Sequence, residues 1–356
     1  MAAFGSPMKQ SEAIIGLLNS RSSQSPRQYE AAAERVALDA KAGLPLQRYM
    51  LAVLSGTEGL PAAARIDEAT RKEYLESSRE RIRVFAEKRG NPLALYLMSM
   101  EGNDLDLLKR AADGGNVQAL NARGTALIEQ AMAQSETNAF ARLAAEAFEC
   151  FRRAAEKKDS NGLFNLGMCY MQGLGCRSDG MLAFESFRTA AELGHPEAIN
   201  NIGGCYRDGL VVRRDPEASV KWFAKSAELG NAYGQLNYAL ALQRGDGVAR
   251  DEKKSVELLK ASCAQGCAEA MDAYGMCYHL GTGVAKDQEL AAAWFRKSAD
   301  LGFVPAMENL SFCYERGEGV ERSEGRSMLW KMRARAARGD KAAAEWLETC
   351  AVPKDD

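Results

Sequence analysis

Between about residues 161 and 338 the apolar positions return at i, i+3, i+4 and i+7, the spacing that gathers them on one face of a helix. Ala198, Ile199, Ile202, Gly203 and Tyr206 make one such face. Leu163, Leu166, Gly167 and Tyr170 make it one copy earlier, and Met307, Leu310, Ser311 and Tyr314 make it near the end. Five copies align without gaps at a spacing of 36 residues. Gly167, Gly203, Ala239, Gly275 and Ser311 form one column; Tyr170, Tyr206, Leu242, Tyr278 and Tyr314 form the column three residues on. A sustained period of this length predicts a solenoid, in which each unit packs mainly on its neighbours.

A second helix in each copy carries the bulk. Phe187, Phe223, Leu259 and Phe295 share a column that ends in Lys331, beside Trp222, Trp294 and Trp330. Small residues follow at Ala190, Ser226, Ser262, Ser298 and Ala334. A large residue beside Gly or Ala lets helices approach closely. Gln235 interrupts the apolar pattern and predicts looser packing in its copy.

The punctuation supports paired helices. Gly173-Leu174-Gly175, Gly245-Asp246-Gly247, Gly281-Thr282-Gly283 and Gly317-Glu318-Gly319 each follow a first helix, whereas Gly209-Leu210-Val211-Val212 keeps only the first glycine. A recurring Gly-x-Gly after a helix, with no strand before it, reads as a left-handed C-cap and not as a phosphate cradle. Asp179, Asp215, Asp251, Asp287 and Ser323 recur at 36-residue intervals just before the second helices, where an oxygen can accept from the exposed N–H groups of the first turn. They read as structural caps, not catalytic acids.

Residues 1–26 are rich in Ser, Gln and Arg and predict a disordered segment. Residues 27–90 predict helices over Tyr29–Leu38, Leu46–Leu54 and a long one over roughly Pro61–Arg89. Residues 91–158 read as two divergent copies of the hairpin, Pro92–Glu101 with Asp104–Asp113, then Val117–Gln134 with Ala139–Lys158. The second is enlarged, since Gly124 to Gly167 is 43 residues. Residues 159–338 hold the regular copies. Residues 339–356 predict a capping helix, Lys341–Cys350, and a tail.

These columns resemble the Sel1-like repeat family, a relative of the tetratricopeptide repeat. The resemblance rests on Asn-Leu-Gly-Met-Cys-Tyr at 165–170 with Gly173-Leu174-Gly175, on Gly317-Glu318-Gly319-Val320, and on Ala-Glu-Leu-Gly at 191–194 and 227–230. It covers 161–338, more weakly 91–158, and not the first 90 residues. It implies an all-α fold, a right-handed αα-hairpin superhelix (an alpha-solenoid). It also implies a role as adaptor or scaffold, in bacteria associated with envelope, signalling and host-interaction functions.

Composition narrows the classes further. Lys plus Arg number 46 against 48 Asp plus Glu, a net charge of -2, which argues against a dedicated nucleic-acid binder. No stretch reaches the ~20 apolar residues of a membrane span and no secretory signal is recognisable, so a cytoplasmic protein is expected, with specialised export left open. Cys169, Cys205, Cys277 and Cys313 share a column about one repeat apart, too far for disulfides, and read as buried reduced thiols. Cys263, Cys267, Cys277 and His279 do not follow a zinc spacing, so no metal and no cofactor are expected. With only two histidines and no nucleophile or phosphate motif, an enzyme is not expected; a hydrolase is a distant alternative.

The expected partner is therefore a protein, an extended peptide or a helix held in a concave groove lined by first helices. Asn165, Asn201, Asn237 and Asn309 form a column there, with Ala273 in place of a fifth Asn. Each amide can hold a partner's backbone through donor and acceptor, or bond the adjoining repeat. Phe164, Arg207, Tyr233, Leu236, Arg244, His279, Phe312 and Arg316 vary from copy to copy at flanking positions, as a partner-specific surface requires. A secreted or regulatory effector acting on a host protein or an enzyme is the rival reading.

Overall fold

A computed structural model describes residues 26–55, 62–88 and 90–349, and all regular structure within them is helical. The expected disordered segment up to residue 25 and the tail after residue 349 lie outside the described residues. The chain divides after Ile202 into two compact units.

The N-terminal unit begins with α1 (Pro26–Lys41) and α2 (Pro45–Leu54). The long helix expected over 61–89 is instead a short 3-10 turn (Ala62–Ala64), then α3 (Glu68–Arg83), continued by one π-helical turn (Val84–Lys88). The interruption has a local cause: Asp67 is extended and accepts from the Thr70 N–H at 2.8 Å, which starts a new helix there. The hairpins α4 (Pro92–Gly102) with α5 (Leu105–Asp113), α6 (Val117–Met132) with α7 (Thr137–Glu156), and α8 (Ser160–Gln172) with α9 (Gly180–Glu192) follow. The enlarged hairpin spends its extra residues on length, with helices of 16 and 20 residues against 13 and 13 in α8 and α9. Helix α10 (Pro196–Asp208) contains the division between units.

The C-terminal unit continues with α11 (Pro216–Glu228), then α12 (Ala232–Arg244) with α13 (Glu252–Ala264), α14 (Ala268–Leu280) with α15 (Gln288–Asp300), and α16 (Val304–Arg316) with α17 (Glu324–Ala337). Helix α18 (Lys341–Thr349) closes it, with Ala343 buried.

Within each hairpin one contact sets the packing. A Cβ at Gly167 would stand 2.6 Å from the Phe187 ring, and one at Gly203 or Gly275 would stand 2.7 Å from Phe223 or Phe295. Gly124 against Phe151 repeats the arrangement in the enlarged hairpin. Where the large residue shrinks to Leu259, Ala239 replaces glycine, and both are fully buried. The small second-helix residues also tie the two helices of one hairpin together: Ser262 Oγ donates to the Ala232 carbonyl at 2.8 Å and Ser298 Oγ to the Ala268 carbonyl at 2.7 Å. Gln235 does not loosen its copy. It is buried, and its Oε1 accepts from Gln265 Nε2 at 2.9 Å, so the polar group is satisfied inside.

The acidic column caps as expected. Asp179, Asp215, Asp251 and Asp287 accept from first-turn N–H groups at 2.9 to 3.0 Å, and Ser323 does so at 3.3 Å. The first glycine of each Gly-x-Gly turn is a left-handed C-cap, with φ +71° at Gly173, Gly245 and Gly317 and +80° at Gly281. The second glycine answers a different need. Gly247, Gly283 and Gly319 have φ between +70° and +75°, and a Cβ on any of them would strike the carbonyl of Pro216, Glu252 or Gln288 in the preceding hairpin.

Candidate functional site

In the C-terminal unit the face presented by successive first helices takes positions four, seven and eleven residues apart. Helix α12 contributes Tyr233, Asn237, Leu240 and Arg244; α14 contributes Glu269, Ala273, Met276 and Leu280; α16 contributes Pro305, Asn309, Phe312 and Arg316. Each set matches the next at 36 residues. None of the twelve is buried, and Tyr233, Leu280 and Phe312 are 49%, 64% and 40% exposed. The Arg316 guanidinium lies 4.3 Å above the Phe312 ring, an arrangement that holds an aromatic and a charge at the surface together.

Three of the sequence-derived residues do other work. Leu236 is only 6% exposed and belongs to the core of its hairpin with Leu259 and Cys263, so it cannot line an open groove. The His279 ring turns toward the second helix: Nδ1 is 2.8 Å from Gln288 Oε1 and 3.8 Å from Glu318. Phe164, in the N-terminal unit, stacks on the His195 ring at 4.6 Å and leans on Phe187. Arg207 and Arg244 are exposed, and the Arg207 guanidinium grips Asp208 through two bonds of 2.8 and 3.0 Å.

Most of the asparagine column is engaged one hairpin back. Asn201 Nδ2 approaches Met168 Sδ at 3.7 Å, Asn237 Oδ1 accepts from Arg207 Nη1 at 3.1 Å, and Asn309 Nδ2 donates to Asp272 Oδ1 at 2.8 Å. Burial raises the Asp272 carboxyl pKa, and the Asn309 bond works against that rise. The Asn165 side chain makes no such bond and faces a cavity of ≈ 350 Å³ in the N-terminal unit, shared with Asn121 and Asp159.

Reactive chemistry is sparse. Cys169 and Cys263 are pushed up to about 12 and Cys313 to about 11, each first by burial, so these thiols stay protonated at neutral pH. All eight described cysteines are free, and no three of the described His, Cys, Asp and Glu residues gather as a metal site would require. Cys267 and Cys277 meet Glu269 and Gln243 rather than His279.

Sequence reasoning passed over Leu240, Met276 and Leu280, and also Asn121 with Asp159. The first three were accessible by stepping 36 residues from Phe312 and Arg316, positions already singled out. The pair 121 and 159 has no periodic signal, because the enlarged hairpin separates them by an irregular interval.

Stacked two-helix units of fixed length, each capped and turned alike, define an alpha-solenoid repeat protein. The Sel1 repeat family matches at residues 143–159, 160–195, 196–231, 232–267, 268–303 and 304–330. The chain belongs to that family, whose members are generally non-catalytic protein–protein interaction scaffolds. Among solved structures, a Sel1 repeat protein from Oxalobacter formigenes is 27% identical, with a TM-score of 0.57, over 65% of this chain and 94% of that one. A protective antigen with an SLR fold from uropathogenic Escherichia coli is 23% identical, with a TM-score of 0.43, over 96% of this chain and 80% of that one. A putative Sel1 repeat protein from Klebsiella pneumoniae is 18% identical, with a TM-score of 0.40, over 56% of this chain and 97% of that one. No curated protein gives a significant match. No helix among the described residues is long and apolar enough to cross a membrane.

Proposed function

We propose that the chain is a non-catalytic scaffold that docks an extended peptide or a helix of a protein partner on the first-helix face of its C-terminal unit. The observation that carries this is one large, exposed apolar side chain on the corresponding face of each of three successive first helices, Tyr233, Leu280 and Phe312, flanked by Arg244 and Arg316. Large apolar groups left in water on successive first helices suit a partner that carries apolar groups along its own length. Aromatic and arginine side chains are also the types that most often dominate binding energy. The flanking arginines favour a partner segment carrying acidic residues. Asn309, whose Nδ2 donates to Asp272, keeps its carbonyl oxygen beside the apolar positions for a contact to a partner's backbone.

The test is crosslinking capture from cells with the intact chain, with a Tyr233→Ala, Leu280→Ala, Phe312→Ala variant, and with Met328→Ala, an exposed residue of the second helix α17. The triple variant is expected to lose the captured partner at unchanged helicity, and Met328→Ala to keep it. Equal recovery by all three chains would move the docking surface elsewhere.

A further inference from the structure

The N-terminal unit offers a second kind of surface, the ≈ 350 Å³ cavity between α4, α6 and α8. Tyr96 and Ala122 give it an apolar wall, and Asn121, Thr125, Asp159 and Asn165 give it polar groups. No Lys or Arg lines it. Its size is at the lower end of the ~300–1,000 Å³ usual for small-ligand pockets.

The polar groups are unevenly satisfied. Asp159 Oδ2 accepts twice, from the Gly162 N–H at 2.9 Å and from Asn121 Nδ2 at 2.7 Å, while no donor among the described residues reaches Oδ1. A carboxylate can only accept, so Asn121 must turn its NH₂ toward Asp159. Its carbonyl oxygen is thereby fixed the other way, where it is buried and has no partner. A buried acceptor left unpaired costs stability unless something answers it. The neighbouring Asn161 is oriented too. His195 Nδ1 accepts from the Ala198 N–H at 3.3 Å, which leaves Nε2–H to donate to Asn161 Oδ1 at 3.1 Å. Burial holds His195 neutral, its pKa lowered to about 4, so it adds no positive charge near the cavity. The positive end of the α8 dipole is met by Asp159 itself through its cap to Gly162.

A free carboxylate oxygen, its negative charge and no lining cation call for a ligand rich in donors. We infer that this cavity takes the ammonium or guanidinium group of a lysine or arginine side chain carried by the partner polypeptide. The inference rests on the scaffold reading above and adds the chemistry of one subsite to it. The head group would bond Asp159 Oδ1, and the methylene stem would lie along Tyr96 and Ala122.

The test uses the full chain and three blocked amino acids, the Nα-acetyl N-methylamides of lysine, arginine and norleucine, titrated at low salt and followed by NMR shifts of side-chain amides. The lysine or arginine compound should shift the Asn121 amide saturably and bind at least tenfold tighter than the norleucine compound. Asp159→Asn should weaken that binding at least tenfold while keeping the cap, since Asn231 caps α12 in the same column by accepting from the Gly234 N–H at 2.7 Å. Met328→Ala, an exposed change in the other unit, should change nothing. A response to norleucine equal to that of both basic compounds, no saturable response, or full binding by Asp159→Asn would each overturn the assignment. Ethylammonium binding as tightly as the blocked lysine would also overturn it, by showing a site for small amines. The docking face is read separately by partner capture with the Tyr233, Leu280 and Phe312 variant, so either reading can fail while the other stands.

Discussion

At the scale of single residues, stability is concentrated where a side chain is absent. Gly167 has no room for a Cβ, since the Phe187 ring already fills that position. Gly167→Ala is therefore expected to destabilise by about 1–3 kcal/mol, the usual cost of overpacking, although alanine is the better helix former. Chemical denaturation would show it; a stability equal to or above that of the parent would contradict the packing. His195 makes a second residue-level prediction. Its pKa falls from 6.5 to about 4 because it is buried, so the neutral form is favoured in the folded state. The stabilisation is complete above pH 6.5 and is lost as pH falls toward 4, by at most about 3 kcal/mol. Glu197, whose Oε2 is 3.2 Å from Nδ1, works against this shift. His195→Asn, which keeps a capping side chain, should flatten the loss between pH 6.5 and 4. A parent protein that gains stability on acidification over that range would show that the Glu197 attraction prevails over burial.

The same scale shows how far the sequence could be read. The glycine, phenylalanine and aspartate columns were legible because a recurring backbone need selects one residue type each time. The face of each first helix was less so. Leu236 and Asn237 are neighbours in the chain but about 100° apart around the helix, and one is core while the other is half-exposed. Their order in the sequence does not say which column faces the second helix. His279 misled for a related reason: its bond to Gln288 depends on a side chain of the other helix whose type changes from copy to copy. The polar cavity depends on the contact between Asn121 and Asp159, which no period announces.

At the scale of elements, the second helix of each regular hairpin starts from a single side-chain oxygen. Asp287 accepts from the Leu290 N–H at 2.9 Å and leads Glu289 into the first turn of α15, where the dipole favours acid. Asp287→Ala is expected to cost about 0.5–2 kcal/mol, measurable as a lower midpoint in urea at unchanged slope. An unaltered midpoint would mean that tertiary packing alone defines this helix start. Helix α18 brings Ala343 into the core, and Leu347 borders a cavity beside Trp330, which is 1% exposed.

At the scale of the whole molecule, the equal length of the regular hairpins makes them interchangeable units. Stability of such a chain is close to a sum over units and their nearest-neighbour contacts. Excising residues 268–303, one complete repeat of the family match, joins Cys267 to Val304 in the register that every junction already uses. The shortened chain should remain monodisperse in gel filtration and keep its helical signal per residue in circular dichroism. Aggregation or a collapse of helicity would show that the units are not equivalent. The excision also removes Met276 and Leu280, so it should weaken partner capture without unfolding the chain.

The second glycine of each Gly-x-Gly turn brings backbone against backbone, with Gly283 over the Glu252 carbonyl and Gly319 over that of Gln288. The step from one unit to the next is thus gauged by main-chain atoms, which every sequence shares. Side chains such as Tyr233 and Phe312 are released from that duty. They can be exchanged over evolutionary time, giving new partners to an unchanged frame.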